Sequence, residues 1–234
     1  MEQAIALYDR EKHRDHGWTY GLDTFAWASA NLGIVTCLST SGERSFELAR
    51  DGLAWAKKLK HIPSIGIALL YLAIVHHLNG DKDGTAKRSG ELLELAEQYG
   101  LPAYEGYGLL IHAWATDNAS LAEPVFDQLT QLGCRTCLPY FGSMLADIHM
   151  RDGHYDKALQ RVEESIAMGE EIIEFYFAAE LYRQKGLLLS QYFSGQKEAA
   201  RQAMEKAISM ADERHMIRIG SLAKAQLKEM INSI

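Results

Sequence analysis

The chain has 234 residues, of which 47% are apolar and 24% charged, and its formal net charge is −7. This composition is typical of a globular protein long enough to bury a core, and it argues against disorder. The acidic balance and the dispersed basic residues argue against a nucleic-acid-binding surface, because phosphate neutralisation needs clustered Lys and Arg.

Apolar residues at helical spacing predict a series of helices from one end of the chain to the other. Only 4 prolines and few alternating β-branched stretches leave little room for strands. A polar segment, EKHRDHG, interrupts the pattern at residues 11–17, and turns are predicted at residues 39–43 and 79–81. The predicted helices cover residues 1–8, 25–38, 43–60, 63–78, 85–99, 104–116, 121–132, 140–150, 155–167, 175–192, 197–211 and 216–231. The sequence therefore predicts an all-α fold.

Residues 145–167, LADIHMRDGHYDKALQRVEESIA, show how these helices pair. The turn at Asp152 and Gly153 separates two amphipathic helices, and small Ala146 allows the second helix to approach closely. Ala158 and Ser165 follow Ala146 by 12 and 19 residues. This pattern resembles a tetratricopeptide repeat.

Small residues recur at the equivalent position of each predicted hairpin. Gly33, Ala73, Ala113, Ala146 and Gly186 are separated by gaps of 40, 40, 33 and 40 residues, where the tetratricopeptide period is about 34. We expect a single domain over residues 1–234, a tetratricopeptide-like right-handed α-solenoid of about five helical hairpins with a C-terminal capping helix. The expected boundaries are a remnant at 1–20, repeats at 21–61, 62–101, 102–133, 134–172 and 173–213, and a cap at 214–234.

Several longer motifs extend the resemblance over almost the whole chain. They are LYDREKHR at 7–14, YGLD at 20–23, HHL at 76–78, AEQYGLP at 96–102, HAWA at 112–115 and FYFAAELYRQKGLLL at 175–189. The chain resembles the tetratricopeptide-type region of bacterial signalling ATPases that carry adenylate-cyclase-like or winged-helix domains. It contains no Gly-rich phosphate loop, no paired metal-binding aspartates of a cyclase and no helix-turn-helix motif, so we expect no enzymatic activity.

The cysteines raise the question of redox chemistry. Three cysteines do not form a disulfide framework, and we expect reduced thiols. Cys134 and Cys137 form a CxxC motif at a predicted helix start, where a depressed thiol pKa would support a thiol oxidoreductase. The motif lacks a βαβ context and further metal ligands, which favours a structural role.

Histidine and glutamate clusters have equally ordinary interpretations. His76, His77 and His112 lack the spacing of metal ligands, because adjacent helical residues point about 100° apart. Glu170, Glu171 and Glu174 are typical of a solvated acidic surface. We expect no cofactor and no metal site.

In a tetratricopeptide repeat, the first helix of each hairpin faces the concave surface, and this rule selects candidate binding residues. We assign partner or ligand binding to Trp27, His77, Tyr107, Trp114, Tyr140, Asp147, Arg151, Glu180 and Arg183. The last hairpin also contributes Leu187, Ser190 and Gln191 to this surface. The alternative is that the aromatic residues pack between repeats and that the charges pair with each other.

These residues predict a non-enzymatic module for protein–protein interaction or effector sensing in a bacterial regulatory protein. One alternative is a small-molecule sensor that encloses a ligand between Trp114, Tyr140, Asp147 and Arg183. The longest strongly apolar run, residues 65–75, is too short to span a membrane, and the N-terminus lacks the features of a signal peptide, so we expect a cytoplasmic protein. Ile5 and Leu7 on the first helix predict a homodimer through the N-terminal ends.

Overall fold

The computed structural model describes residues 1–40, 42–134, 137–174 and 176–232. This part of the chain forms thirteen α-helices and no strand, which confirms the all-α prediction. The helices are α1 (Glu2–Leu7), α2 (His16–Tyr20), α3 (Thr24–Ser39), α4 (Glu43–Leu59), α5 (Ile62–Leu78), α6 (Lys82–Tyr99), α7 (Pro102–Ala115), α8 (Ala119–Gln131), α9 (Leu138–Arg151), α10 (Tyr155–Glu171), α11 (Ala178–Tyr192), α12 (Lys197–Glu213) and α13 (Ile217–Asn232). None of the described helices is long and apolar enough to cross a membrane.

The chain divides into two compact units, Met1–Thr116 and Asp117–Ile234. The division falls in the turn between α7 and α8, inside the predicted repeat 102–133. The single-domain assignment and the repeat boundaries stay predictions. The described part leaves out residues 41, 135, 136, 175, 233 and 234. Residue 41 belongs to the turn predicted at 39–43, and residues 135 and 136 are the interior of the CxxC motif. Residue 175 is the first residue of the helix predicted at 175–192.

In unit 1, neighbouring helices pack as antiparallel pairs around small residues. α3 packs on α4 and α5 packs on α6, while α5 also contacts α3 and α7. A Cβ atom added at Gly33 would lie 2.7 Å from the carbonyl oxygen of Ser45, and one added at Gly52 would lie 2.7 Å from that of Ala26. The close approach predicted from Gly33 and its partners 12 and 19 residues later is therefore confirmed.

A network of buried polar groups ties the N-terminal segment to α3 and α5. Asp23 is fully buried, caps α3 by accepting a hydrogen bond from the Ala26 N–H, and accepts another from the Tyr8 hydroxyl at 2.6 Å. The Asp23 N–H donates to Ser64 Oγ on α5 at 2.8 Å. Inside the segment, residues 16–20 form the short helix α2, which the predicted polar break at residues 11–17 missed. The network explains why the motifs at 7–14 and 20–23 contain Tyr8 and Asp23.

Unit 2 repeats the pairing with α9 on α10 and α11 on α12. α8 packs on α9, and α13 packs on α12 and α11. Ala146 and Ala158 are fully buried in one cluster with Val162, Leu181 and Leu188, as the central hairpin predicted. Another cluster of this unit lies at α12 and α13, where Met204, Ala207 and Ala223 are buried.

Hydrogen bonds join equivalent positions of successive first helices, which are α3, α5 and α7 in unit 1 and α9, α11 and α13 in unit 2. Three such bonds connect residues 41 positions apart: Asp23 to Ser64, Tyr104 to Pro63, and Gln184 to Ser143. The offset agrees within one residue with the 40-residue gaps between small residues in the sequence. Paired helices with this regular offset are consistent with a helical-repeat solenoid.

The end of α10 contains a strained residue. Ile173 has φ 57°, a left-handed conformation that a β-branched residue rarely adopts, and its side chain is 78% exposed. The Glu174 N–H returns to the carbonyl of Gly169 at 2.8 Å, which is the bonding of a Schellman cap, where glycine usually occupies the left-handed position. Ile173 therefore stands at a position suited to glycine.

Candidate functional site

The predicted binding residues of unit 1 lie on its first helices. Trp27 on α3 is 37% exposed, and Tyr107 on α7 is half-buried. The rings of His77 on α5 and Trp114 on α7 meet edge to face with centroids 4.3 Å apart, and Trp114 is buried. His77 and Trp114 thus pack between hairpins, while Trp27 exposes the largest surface of the four.

In unit 2, Tyr140 differs from the charged residues that were predicted with it. Tyr140 on α9 is 3% exposed, and its ring packs edge to face on Phe177 at 4.8 Å between centroids. Its position therefore makes it a core residue between α9 and the segment before α11. The other four predicted residues, Asp147, Arg151, Glu180 and Arg183, all take part in ion pairs.

Arg183 on α11 is the most enclosed member of these ion pairs. Its guanidinium makes two hydrogen bonds with the Glu180 carboxylate, at 2.8 and 2.5 Å, and donates to the Gln226 amide oxygen on α13 at 2.9 Å. Burial alone would lower the pKa of Arg183, but the carboxylates of Glu180 and Asp147 outweigh burial and raise it. Arg183 therefore stays charged and links α11 to α13.

The second ion-paired group lies between α9 and the turn before α8. Arg151 contacts Asp147 at 2.6 Å and Asp117 at 2.7 Å. The predicted charges of unit 2 thus pair with each other, as in the alternative interpretation of this surface. Their assignment to partner binding stays a prediction.

The structure adds a groove that the sequence did not identify as a unit. A cavity of about 470 Å³ lies between the end of α11, the beginning of α12 and the end of α13. We call it the α11–α13 groove, and its walls are Leu187, Ser190, Gln191, Lys197, Glu198, Arg201, Gln226, Leu227, Glu229, Met230 and Ile231. Leu187, Ser190 and Gln191 were predicted on the concave surface, whereas α13 was interpreted only as a cap. The apolar residues of α13 at positions 227, 230 and 231 were the sequence pattern that could have indicated this groove.

The Cys137 thiol of the CxxC motif is largely buried beside a carboxylate. Burial, reinforced by the nearby Glu174 carboxylate, raises the pKa of the Cys137 thiol to about 11. The Cys137 N–H donates to the Glu174 carboxylate at 3.1 Å, and burial raises the pKa of Glu174 as well. The shift of the Cys137 pKa is therefore opposite to the depressed thiol pKa that the oxidoreductase alternative predicted.

Two buried histidines have structural partners. His61 Nδ1 lies 2.8 Å from Ser64 Oγ, and burial lowers the pKa of His61 although Asp23 opposes the shift. His149 Nε2 lies 2.8 Å from the Glu123 carboxylate of α8, and burial lowers the pKa of His149 against the effect of Glu123. In the described residues, no three His, Cys, Asp or Glu side chains come together in a group that could hold a metal ion.

Comparison with known proteins places this geometry among helical repeats. The model of a helical-repeat family described as "Anaphase-promoting complex subunit 5" matches residues 118–174 and 175–232, two consecutive segments that together span most of unit 2. The chain is an all-helical, repeat-like protein. It is also 21% identical over 238 residues to an uncharacterized protein of Rhizobium meliloti (strain 1021), an alignment that covers 98% of this chain and 23% of the relative. The chain thus spans about a quarter of the length of that relative.

The two matches bear differently on the helical-repeat fold and on the more specific resemblance to signalling regulators. The helical-repeat character is confirmed by the family match and by the paired helices. The resemblance to regions of ATPase, adenylate-cyclase-like or winged-helix regulators remains a prediction.

Proposed function

We propose that this chain is a non-enzymatic, cytoplasmic interaction module of a bacterial regulatory protein acting in signal transduction or transcription regulation. It binds a protein partner, or a regulatory domain of the same longer protein, through the surface of its first helices. The observation that carries this proposal is the regular alignment of these helices by hydrogen bonds at a 41-residue offset within each unit. Such alignment produces extended surfaces suited to recognition.

The comparisons support the same kind of role. The matching family is described as a subunit of the anaphase-promoting complex, so that family contributes a helical-repeat chain to an assembly. The relative from Rhizobium meliloti is a bacterial protein about four times as long as the aligned region. We infer an assembly role of this type, in which Trp27 and Arg151 provide exposed contacts in units 1 and 2.

A capture experiment with matched variants tests this proposal. The full chain, Trp27→Ala, Arg151→Ala and the control Arg44→Ala are immobilised, and bound proteins from bacterial extracts are quantified. Arg44 lies on α4, a second helix, and pairs with Glu47 at its surface. We expect one partner to be retained by the control and lost from the other two variants. Equal retention by all four proteins would contradict binding through the first helices.

A small-molecule sensor is the second candidate, and the α11–α13 groove supports it. The groove volume of about 470 Å³ lies within the range of small-molecule sites. Two of the four residues predicted to hold a ligand are poorly suited to that role. Tyr140 is buried, and Arg183 already pairs with Glu180. The groove therefore replaces them as the site for this candidate.

We also propose a homodimer that uses the exposed apolar side chains of α1. Leu7 is 79% exposed, and Ile5 lines an open cavity with Arg10 and Phe25. Sedimentation velocity should show a concentration-dependent dimer that becomes a monomer when Ile5 and Leu7 are both replaced by Lys. A monomer at high concentration for the unchanged chain would contradict the proposal.

A further inference from the structure

The α11–α13 groove has an aliphatic wall that continues into the core of unit 2. Leu187, Leu227 and Met230 are partly buried and pack on the cluster of Met204, Ala207 and Ala223. Ile231 completes the wall and is 56% exposed. No aromatic residue is among the side chains that line this groove in the described part of the chain. The wall therefore suits an aliphatic chain better than a flat ring, which would need a stacking partner.

Two of the four charged side chains that line the groove, Arg201 and Glu198, pair with each other. Arg201 contacts Glu198 at 2.7 Å and Glu205 at 2.5 Å, and Gln202 donates to Glu198 at 2.9 Å. These hydrogen bonds lower the pKa of Glu198, so that it stays ionised and occupied by its partners. Arg201 and Glu198 therefore neutralise each other within the lining, and the second carboxylate on Arg201, that of Glu205, lies outside the lining.

Two further groups of the groove, on Lys197 and Gln226, can donate hydrogen bonds to a ligand. The Lys197 side chain makes no ion pair or hydrogen bond with any residue that the structure describes. The amide oxygen of Gln226 accepts from Arg183, which leaves its NH₂ group to donate. The lining contains a second carboxylate besides Glu198, that of Glu229. It belongs to α13, on a different helix from Lys197 of α12. An ammonium and an amide NH₂ beside an aliphatic wall fit an acceptor with one negative charge.

We propose that the α11–α13 groove binds an aliphatic carboxylate of medium chain length. Its hydrocarbon tail lies along Leu187, Leu227 and Met230, and its carboxylate accepts from Lys197 and from the Gln226 amide. This inference rests on the small-molecule candidate proposed above for the same groove. The site lies outside the residues tested for partner capture, so failure of the capture experiment and failure of ligand binding are distinguishable.

Titration calorimetry of the full chain tests the tail first. Octanoate and decanoate are added below their critical micelle concentrations, and decanol below its solubility limit in water. We expect one site and an affinity that rises by about fourfold for each added methylene until the wall is covered. Decanol should bind at least about tenfold more weakly than decanoate, because it lacks the charge that Lys197 recognises. Equal affinities for decanol and decanoate, or the absence of binding, would overturn the proposal.

Variants test the carboxylate end. Lys197→Met keeps the aliphatic stem, removes the charge and should weaken decanoate binding by about tenfold or more. Lys228→Met is the matched control, because Lys228 is an exposed lysine of α13 outside the lining. Glu229→Gln should strengthen binding by removing a like charge. Equal affinities of the two lysine variants, or weaker binding by Glu229→Gln, would overturn the proposal. Several sites that no variant changes would indicate nonspecific detergent adsorption and would overturn it as well.

Discussion

Replacing two helical glycines by alanine tests the close packing of α3 on α4. Gly33 and Gly90 both lie inside helices, so alanine contributes the same gain in helix propensity at each, about 0.5–1 kcal/mol. The Cβ atom at Gly33 would lie 2.7 Å from the Ser45 carbonyl oxygen and 3.1 Å from the Ala49 Cβ, whereas nothing lies within 4 Å of the Cβ position at Gly90. The two substitutions therefore differ only in the contact between helices.

The expected magnitudes have opposite signs. Because a backbone carbonyl cannot rotate away, overpacking at Gly33 costs about 1–3 kcal/mol and outweighs the propensity gain. Gly33→Ala should lower the free energy of unfolding by up to about 2 kcal/mol, while Gly90→Ala should raise it by about 0.5–1 kcal/mol. Urea unfolding followed by circular dichroism measures both, with equal m values required for the comparison. Equal stabilisation by the two alanines would refute the close approach of α3 and α4.

Three other substitutions or conditions have defined outcomes. Ile173→Gly should raise the melting temperature, because relief of the left-handed conformation is worth about 1 kcal/mol and the side chain is 78% exposed; an unchanged melting temperature would contradict the strain. Burial lowers the pKa values of His61 and His149 in the folded protein. The free energy of unfolding should therefore be unaffected by these histidines above about pH 6.5 and should fall as pH drops from there toward the lowered pKa values. The decrease is at most about 1.4 kcal/mol per pH unit for each histidine. Urea unfolding at pH 7.5 and 5.5 checks this, and a smaller pH dependence in His61→Gln is expected, whereas an unchanged one would count against its role. Ala146→Leu should destabilise by about 1–3 kcal/mol and much more than Cys134→Ser, and equal melting temperatures would contradict the proposed packing of Ala146.

Local pattern was sufficient to predict twelve of the thirteen helices of the described residues, because long apolar or amphipathic runs are bounded by polar, Gly or Pro residues. Gly100 ends α6 in a left-handed conformation, as its residue type predicted, whereas Asp81 caps a beginning at Lys82, three residues before the predicted start at residue 85. Gly33 and Ala146 were recognisable because helix contacts need small residues at a fixed spacing. α2 was not predicted, because a single helical turn in a polar segment is stabilised by contacts with residues distant in sequence. One such contact is the edge-to-face packing of the Trp18 and His61 rings.

The candidate sites depended on contacts between residues distant in sequence, and a single sequence does not contain these. Cys137 and Glu174 are 37 residues apart, and only their contact and burial explain a raised thiol pKa. Arg183 was predicted on the same surface as Glu180, but its hydrogen bond to Gln226 on α13 depends on the packing of that helix. The α11–α13 groove was missed for the same reason, because three helices form it and none shows it alone.

The hydrogen bonds between residues 41 positions apart limit how this sequence can change its length during evolution. An insertion within a helix turns every later side chain by about 100° per residue, so that Tyr104 would point away from the carbonyl of Pro63. An insertion in a turn leaves both helices in place. Duplication or loss of a complete hairpin brings an equivalent carbonyl to the same location. Related chains should therefore differ in the lengths of their turns and in whole hairpins of about 40 residues, with few insertions inside first helices.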